Sequence, residues 1–80
     1  MDTTTIKEQL EEIFQDIFDD ENLAISDNTT ADDIDRWDSL NHINLIGAVE
    51  RHFKVRFALG ELQSMKNVGE MIRLIQKKAG

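Results

Sequence analysis

The sequence predicts an all-α fold, a small antiparallel helical bundle of three main helices and one short helix. Three segments place apolar residues at three- and four-residue intervals, which is the spacing of helices and not of strands. Helices this short are marginal alone and must share their apolar faces. The 80 residues suffice for one modest core, so we expect a single domain over residues 1–80.

The first predicted helix covers about residues 5–18. Thr5 and Glu8 have the spacing of a capping box, in which two side chains bond free backbone amides at the helix start. Residues 19–37 are rich in Asp, Asn, Thr and Ser and lack sustained periodicity, so we expect a long ordered loop there. The apolar positions of the helix are Ile6, Leu10, Ile13, Phe14 and Ile17.

The second predicted helix covers about residues 39–53. Asp38 or Ser39 is its expected N-cap, because a short side-chain oxygen there accepts a bond from an amide of the first turn. The remaining free amides and the positive end of the helix dipole favour a phosphate attached to Ser39. The apolar positions after Leu40 are Ile43, Leu45, Ile46, Val49 and Phe53.

The rest of the chain is predicted to form a short helix at about residues 61–65 and a last helix at about residues 67–78. Asn67 and Glu70 have a spacing that suggests the cap of the last helix. The residues expected to form most of the core are Leu10, Phe14, Ile17, Leu45, Ile46, Val49, Phe53, Leu62, Val68, Ile72 and Ile75.

Charge is unevenly distributed along the chain. The formal net charge is −7, with a balance of −11 in residues 1–38 and +4 in residues 39–80. The basic residues Arg73, Lys77 and Lys78 form too small a cluster for nucleic-acid binding. Basic surfaces on partner proteins are attracted to the acidic half, which raises association rates without requiring tight binding.

Cysteine is absent, so the chain has no disulfide, no thiolate metal site and no thiol nucleophile of its own. No segment has the apolar length of a membrane span, and the N-terminal residues lack the basic and apolar regions of a signal peptide. These observations predict a cytoplasmic protein without a membrane span.

Several apparent sites fail on spacing or geometry. Ser39, His42 and Asp38 offer a nucleophile, a base and a carboxylate, but their side chains point outward in parallel and nothing forms an oxyanion pocket. His42 is predicted to be a packed or capping residue, and His52 a surface residue near the helix end. Residues 27–35 lack the glycine and closing glutamate of a calcium loop. We therefore expect neither catalysis nor a dedicated metal site.

Residues 38–53 read DSLNHINLIGAVERHF, and residues 54–68 read KVRFALGELQSMKNV. The first run resembles helix two of the acyl carrier proteins, and the second resembles that family's next loop, short third helix and entry to the last helix. In this family the serine of the Asp-Ser-Leu motif carries a 4′-phosphopantetheine arm. The resemblance implies that Ser39 is the attachment site, within a motif that Trp37, Asp38 and Leu40 help to present.

What the resemblance implies is a non-catalytic carrier of an acyl, hydroxyacyl or aminoacyl group, held as a thioester on the arm. Coenzyme A donates the arm, and a phosphopantetheinyl transferase with Mg²⁺ installs it. Further expected partners are an acyl-loading ligase or transferase and a downstream synthase, reductase or acyltransferase, and the chain is expected to be a monomer. Two alternatives stay open, an aminoacyl or D-alanyl carrier of the same fold and an unmodified helical adaptor in which Ser39 is only a cap.

The outward side of the second helix is the predicted partner-recognition face. It is nearly uncharged, whereas family members from fatty-acid synthesis usually carry several carboxylates along this helix, and here only Glu50 remains. This departure favours a specialised pathway over housekeeping fatty-acid synthesis. Gly47 suggests close approach by a partner or a neighbouring helix. The predicted face consists of Leu40, Asn41, Ile43, Asn44, Gly47, Ala48 and Arg51.

Overall fold

Three α-helices make up most of the molecule: α1 (Thr3–Ile17), α2 (Ser39–Phe53) and α3 (Val68–Ala79). The computed structural model describes residues 2–34, 36–58, 60–61, 65 and 67–79. A 3₁₀ turn at Ala31–Asp33 interrupts the first loop, and these described ranges contain no β-strand. The all-α prediction is therefore confirmed. None of the helices in the described ranges is both long and apolar enough to cross a membrane.

Helix α1 begins two residues before its predicted start. The Thr5 amide donates to the Asp2 carboxylate at 2.8 Å, so Asp2 is the N-cap. This bond from the Thr5 backbone holds the pKa of Asp2 below its ordinary value. The capping box predicted at Thr5 and Glu8 is wrong, because a carboxylate three residues earlier already takes the Thr5 amide.

Helix α2 begins at Ser39, and Asp38 is its N-cap. The Asn41 amide donates to Asp38 Oδ1 at 2.8 Å, which decides between the two candidate caps. At the other end, Lys54 adopts a left-handed conformation (φ 57°) and donates its amide to the Glu50 carbonyl. A left-handed residue is a common way to end a helix.

Helix α3 has the predicted cap, since the Glu70 amide donates to Asn67 Oδ1 at 2.9 Å. The short helix predicted at 61–65 lies mostly outside the described residues, which include only Glu61 and Met65 of that range. The Glu61 carboxylate forms an ion pair with the Lys78 ammonium group of α3, with 2.8 Å between Oε1 and Nζ.

Helices α1 and α2 run antiparallel. Phe14, near the end of α1, lies against Trp37, just before α2, with ring centroids 5.2 Å apart. Gln9, farther back in α1, contacts His52 at the end of α2, with 2.9 Å between Oε1 and Nε2. The end of one helix therefore lies beside the start of the other.

The core contains most of the residues that the periodicity assigned to it. Of those predicted and described, only Ile17 is half-buried instead of buried, and Leu62 lies outside the described residues. Burial of each large aliphatic side chain contributes about 1.5–3 kcal/mol. Six further hydrophobic residues are buried, several of them in loops: Ile6, Phe18, Ile25, Ile34, Val55 and Met71.

The first loop is fastened to the start of α3. The Val68 amide donates to the Thr29 carbonyl and the Gly69 amide to the Asp27 carbonyl, both at 2.9 Å. A Cβ atom at Gly69 would lie 2.9 Å from the Asp27 carbonyl oxygen, so only glycine permits this approach. The loop is thus a packed wall of the bundle, and it leads directly to Ser39.

Candidate functional site

Ser39 is the first residue of α2 and its side chain is exposed. Because Asp38 caps the helix, the Ser39 hydroxyl has no capping task. No hydrogen bond engages this hydroxyl among the parts of the chain that the structure describes. The oxygen is therefore available to an incoming reactant.

The backbone amides beside Ser39 offer less to a phosphate than the sequence suggested. Asp38 Oδ1 already accepts the Asn41 amide at 2.8 Å, and the Asp38 carbonyl accepts the His42 amide, also at 2.8 Å. The Asp38 carboxylate also brings negative charge to the helix start, where it would repel a phosphate. The expected phosphate site at the helix N-terminus is therefore only partly supported.

A pocket of about 570 Å³ opens beside Ser39. Its walls come from the first loop, the first turn of α2 and the start of α3, and they are mainly apolar. An exposed hydroxyl next to such a pocket suits a long flexible group attached at Ser39, so the residues present fit a phosphopantetheine arm. The pocket is lined by Ala31, Trp37, Asp38, Ser39, His42, Ile43, Met65, Asn67 and Met71.

Trp37 packs over the first loop and against α1. Its ring meets Phe14 edge-on at an interplanar angle of 87° and lies 6.2 Å from the Phe18 ring. Its indole N–H donates to His42 Nδ1 at 2.9 Å, and the two rings stack with centroids 5.9 Å apart. Sequence reasoning treated Trp37 and His42 separately and missed this bond. Their spacing of five residues across a helix start was the available signal.

His42 is neutral in this arrangement. Burial lowers the pKa of His42 below its ordinary value of 6.5. Since Nδ1 accepts the Trp37 N–H, the ring proton resides on Nε2. Nδ1 is thus bonded to an indole and not to Asp38, which agrees with the rejection of a catalytic Ser39, His42 and Asp38 arrangement.

The predicted partner-recognition face is only partly continuous. Leu40 and Ile43 are each 68% exposed and are large apolar side chains. Asn44 and Arg51 are also exposed, whereas Ala48 is half-buried and lines a groove toward α1.

Two further positions of this face, Asn41 and Gly47, differ in their contacts. The Asn41 side chain donates to the Arg36 carbonyl at 2.7 Å, which ties the loop to α2. Within the described part of the chain, a Cβ at Gly47 would meet only Arg51 Nη1, at 3.6 Å, so none of the helices described there explains this glycine. Glu50, the remaining carboxylate on this helix, accepts the Phe57 amide at 2.9 Å.

The first loop is rich in acidic residues. No cluster of three or more His, Cys, Asp or Glu suited to a metal occurs within the described residues. In the loop, Asp33 accepts the Thr30 amide at 2.9 Å and so serves the 3₁₀ turn.

Comparison with known proteins agrees with this architecture. Residues 8–75 match the family described as "Phosphopantetheine attachment site". The chain is also similar to the solution NMR structure of a holo acyl carrier protein from Geobacter metallireducens, with 49% sequence identity and a TM-score of 0.87. That alignment covers 91% of this chain and 84% of the other. A search of the curated proteins finds no match.

The fold and the family match define a small, non-catalytic, phosphopantetheine-dependent carrier. The chain belongs to the acyl carrier protein family, and 4′-phosphopantetheine is its prosthetic group. The predicted fold, carrier function and cofactor are therefore confirmed at the level of the family.

Proposed function

We propose that Ser39 is the attachment site of the arm and that the chain delivers an acyl group from it to biosynthetic enzymes. The observation that carries this proposal is an exposed serine, relieved of capping by Asp38, beside an apolar pocket. Ser39 also lies inside the residues matched to the phosphopantetheine attachment family.

The attachment reaction requires little from this chain. The Ser39 oxygen forms a bond to the phosphorus of coenzyme A that bears the pantetheine. The bridging P–O bond breaks, 3′,5′-ADP leaves, and a base on the transferase takes the hydroxyl proton. The bound arm then supplies a terminal thiol, which holds the acyl group as a thioester.

The pocket beside Ser39 can shelter cargo between transfers. Trp37, Ile43 and Met71 give it apolar walls. Each methylene of an acyl chain that leaves water contributes about 0.8 kcal/mol. A short segment of cargo is therefore held weakly enough for a partner enzyme to withdraw it.

Partner enzymes are proposed to dock on α2 by shape more than by charge. Leu40 and Ile43 present exposed apolar area next to Ser39. The neighbouring Asn44 and Gly47 are uncharged. This weakly polar strip supports service to a specialised pathway, with a phosphopantetheinyl transferase, a loading enzyme and a synthase as partners. The cytoplasmic location stays a prediction.

Mass spectrometry tests the attachment site. Purified chain is incubated with coenzyme A, Mg²⁺ and a broad-specificity phosphopantetheinyl transferase. Wild type and the matched serine control Ser26→Ala should gain the mass of one arm, and Ser39→Ala should gain none. Equal gain by Ser39→Ala contradicts the assignment, and a wild type that is never modified indicates an unmodified adaptor.

Acyl-loading kinetics test the partner surface. Gly47→Arg should lower kcat/KM with a cognate loading enzyme, because a long side chain obstructs docking. Gly47→Ala is the matched control, since its methyl group makes only an ordinary contact with Arg51. Glu50→Ala is expected to affect docking little, but its bond to Phe57 makes it a poor control. An unchanged kcat/KM for Gly47→Arg would show that the loading enzyme docks on another surface.

A further inference from the structure

The His42 ring at the pocket wall has one hydrogen-bond donor that no described residue accepts. The Trp37 indole occupies His42 Nδ1, so the proton of the neutral ring is on Nε2. Among the described residues, Nε2 has no partner, and no buried side-chain nitrogen or oxygen is left unpaired. The Nε2–H group is therefore open to solvent or to the pocket.

The position of His42 places this donor near Ser39. The two residues are three apart on α2, so their Cβ atoms are about 5–6 Å from each other on one helix face. Both line the same pocket. Besides His42, Asp38 is the only acidic or basic residue among the described residues that line the pocket. Met71 and Asn67, from the start of α3, are uncharged, as are the aromatic rings of α1 behind Trp37.

An arm attached at Ser39 places an anionic group beside this donor, because both residues line the same pocket. Its phosphodiester carries one negative charge and lies one residue from the Asp38 carboxylate. That carboxylate repels the phosphodiester and already takes the Asn41 amide. A neutral N–H donor supplies a hydrogen bond to the anion without requiring a buried cation.

We propose that His42 Nε2–H donates a hydrogen bond to a phosphodiester oxygen of the arm on Ser39, with Trp37 as the positioning residue that fixes the donor's tautomer. This inference rests on the proposed attachment at Ser39. It gives the stacked pair a role in orienting the base of the arm toward the pocket.

The proposed contact predicts the direction in which the pKa of His42 changes when the arm is attached. A nearby anion favours the charged form of a histidine, so attachment of the arm raises the pKa of His42 relative to the apo protein. A His42 ring that is near the arm but not bonded to it feels the charge only through space, so its pKa shift is smaller and no ³¹P resonance is coupled to its titration. His52, at the far end of α2 and in contact with Gln9, is the internal control because it lies away from Ser39.

NMR titration of the apo and holo proteins tests this inference. Mass spectrometry first establishes that the holo sample carries the arm at Ser39. We expect an upward shift of the His42 pKa on attachment and a ³¹P resonance that follows His42 titration. That dependence should persist in His52→Phe and disappear in His42→Phe.

An equal His42 pKa in apo and holo wild type overturns the contact, whether or not His42→Phe folds. A ³¹P resonance that titrates unchanged in a folded His42→Phe variant also overturns it. A chain that acquires no arm at Ser39 overturns the proposed function first, which separates the two failures.

Discussion

The two ends of α2 each carry a histidine, and these side chains lie in opposite surroundings. His42 is half-buried, stacks on Trp37 and accepts its indole N–H through Nδ1. His52 is exposed, pairs with Gln9 through Nε2 and meets the Phe53 ring edge-on at 4.8 Å. One helix therefore holds one histidine within an aromatic cluster and the other at the surface.

This difference extends to what each end of α2 does. The C-terminal end is anchored by buried Phe53, by the left-handed turn at Lys54 and by the bond from Phe57 to Glu50. The N-terminal end leaves Ser39 exposed and relies on Asp38 and on aromatic packing behind the helix. The C-terminal end of α2 is thus held by its own buried side chain, whereas the N-terminal end presents the accessible hydroxyl.

The strongest test of this contrast removes the anchor. Phe53→Ala should lower the free energy of unfolding by about 3 kcal/mol, because it deletes a buried aromatic side chain. Modification of the remaining folded protein should be unaffected. Urea unfolding followed by circular dichroism measures the loss, with Ser39→Ala as the control expected to lose only a few tenths of a kcal/mol. A loss below about 1 kcal/mol for Phe53→Ala would contradict the conclusion that Phe53 anchors the C-terminal end of α2.

A smaller effect is expected at the other end of α2. Asp38→Ala should cost about 1 kcal/mol, since it leaves the Asn41 amide without its cap. Asp38→Asn is the matched control, because asparagine caps nearly as well and should retain most of the stability. Should Ser39→Ala cost as much as Asp38→Ala in the same urea titration, the serine is structural and the contrast between the ends weakens.

The smallest effect concerns pH. Burial lowers the pKa of His42 below 6.5, so the unfolded chain binds more protons once the pH falls below that value. The stability contributed by neutral His42 is therefore present above pH 6.5 and is lost as the pH falls through its folded-state pKa. Urea midpoints of the apo protein at about pH 7.5 and about pH 5 measure this loss.

Two controls assign the pH effect to His42. His52→Gln should keep the decline, and His42→Gln should reduce it. The bond from Lys78 holds the pKa of Glu61 below 4.5, and the Thr5 amide holds the pKa of Asp2 below 3.8, so both carboxylates titrate below the pH range compared. Trp37 is the only tryptophan in the sequence. Its fluorescence in the folded protein should change as His42 becomes protonated, because a protonated Nδ1 cannot accept the indole N–H. A decline that persists fully in His42→Gln would contradict the assignment.

Helix positions and core faces were predictable from the sequence because local periodicity determines them. Leu10, Phe14, Leu45 and Val49 recur at helical spacing, and all four are buried. The cap of α2 was reduced to two candidates, and only the observed Asp38 bond to the Asn41 amide separates them.

Contacts that depend on non-periodic segments could not be predicted in the same way. Ile25 and Ile34 are buried because the loop folds back on the bundle, and no pattern in residues 19–37 indicates this. The Trp37 bond to His42 depends on the angle at which the loop enters α2. The contact between Gly69 and Asp27 joins two segments distant in sequence, so local sequence preferences do not predict it.

The contact between Gly69 and Asp27 makes the start of α2 dependent on a helix that follows it in the chain. The loop that carries Trp37 and leads to Ser39 is held in place through its backbone bonds to Val68 and Gly69. A peptide containing only residues 38–53 therefore has the Asp-Ser-Leu sequence without the surface that a transferase meets in the folded protein. The folded protein therefore presents its Asp-Ser-Leu sequence on a surface assembled from several segments, and a linear fragment does not reproduce that surface.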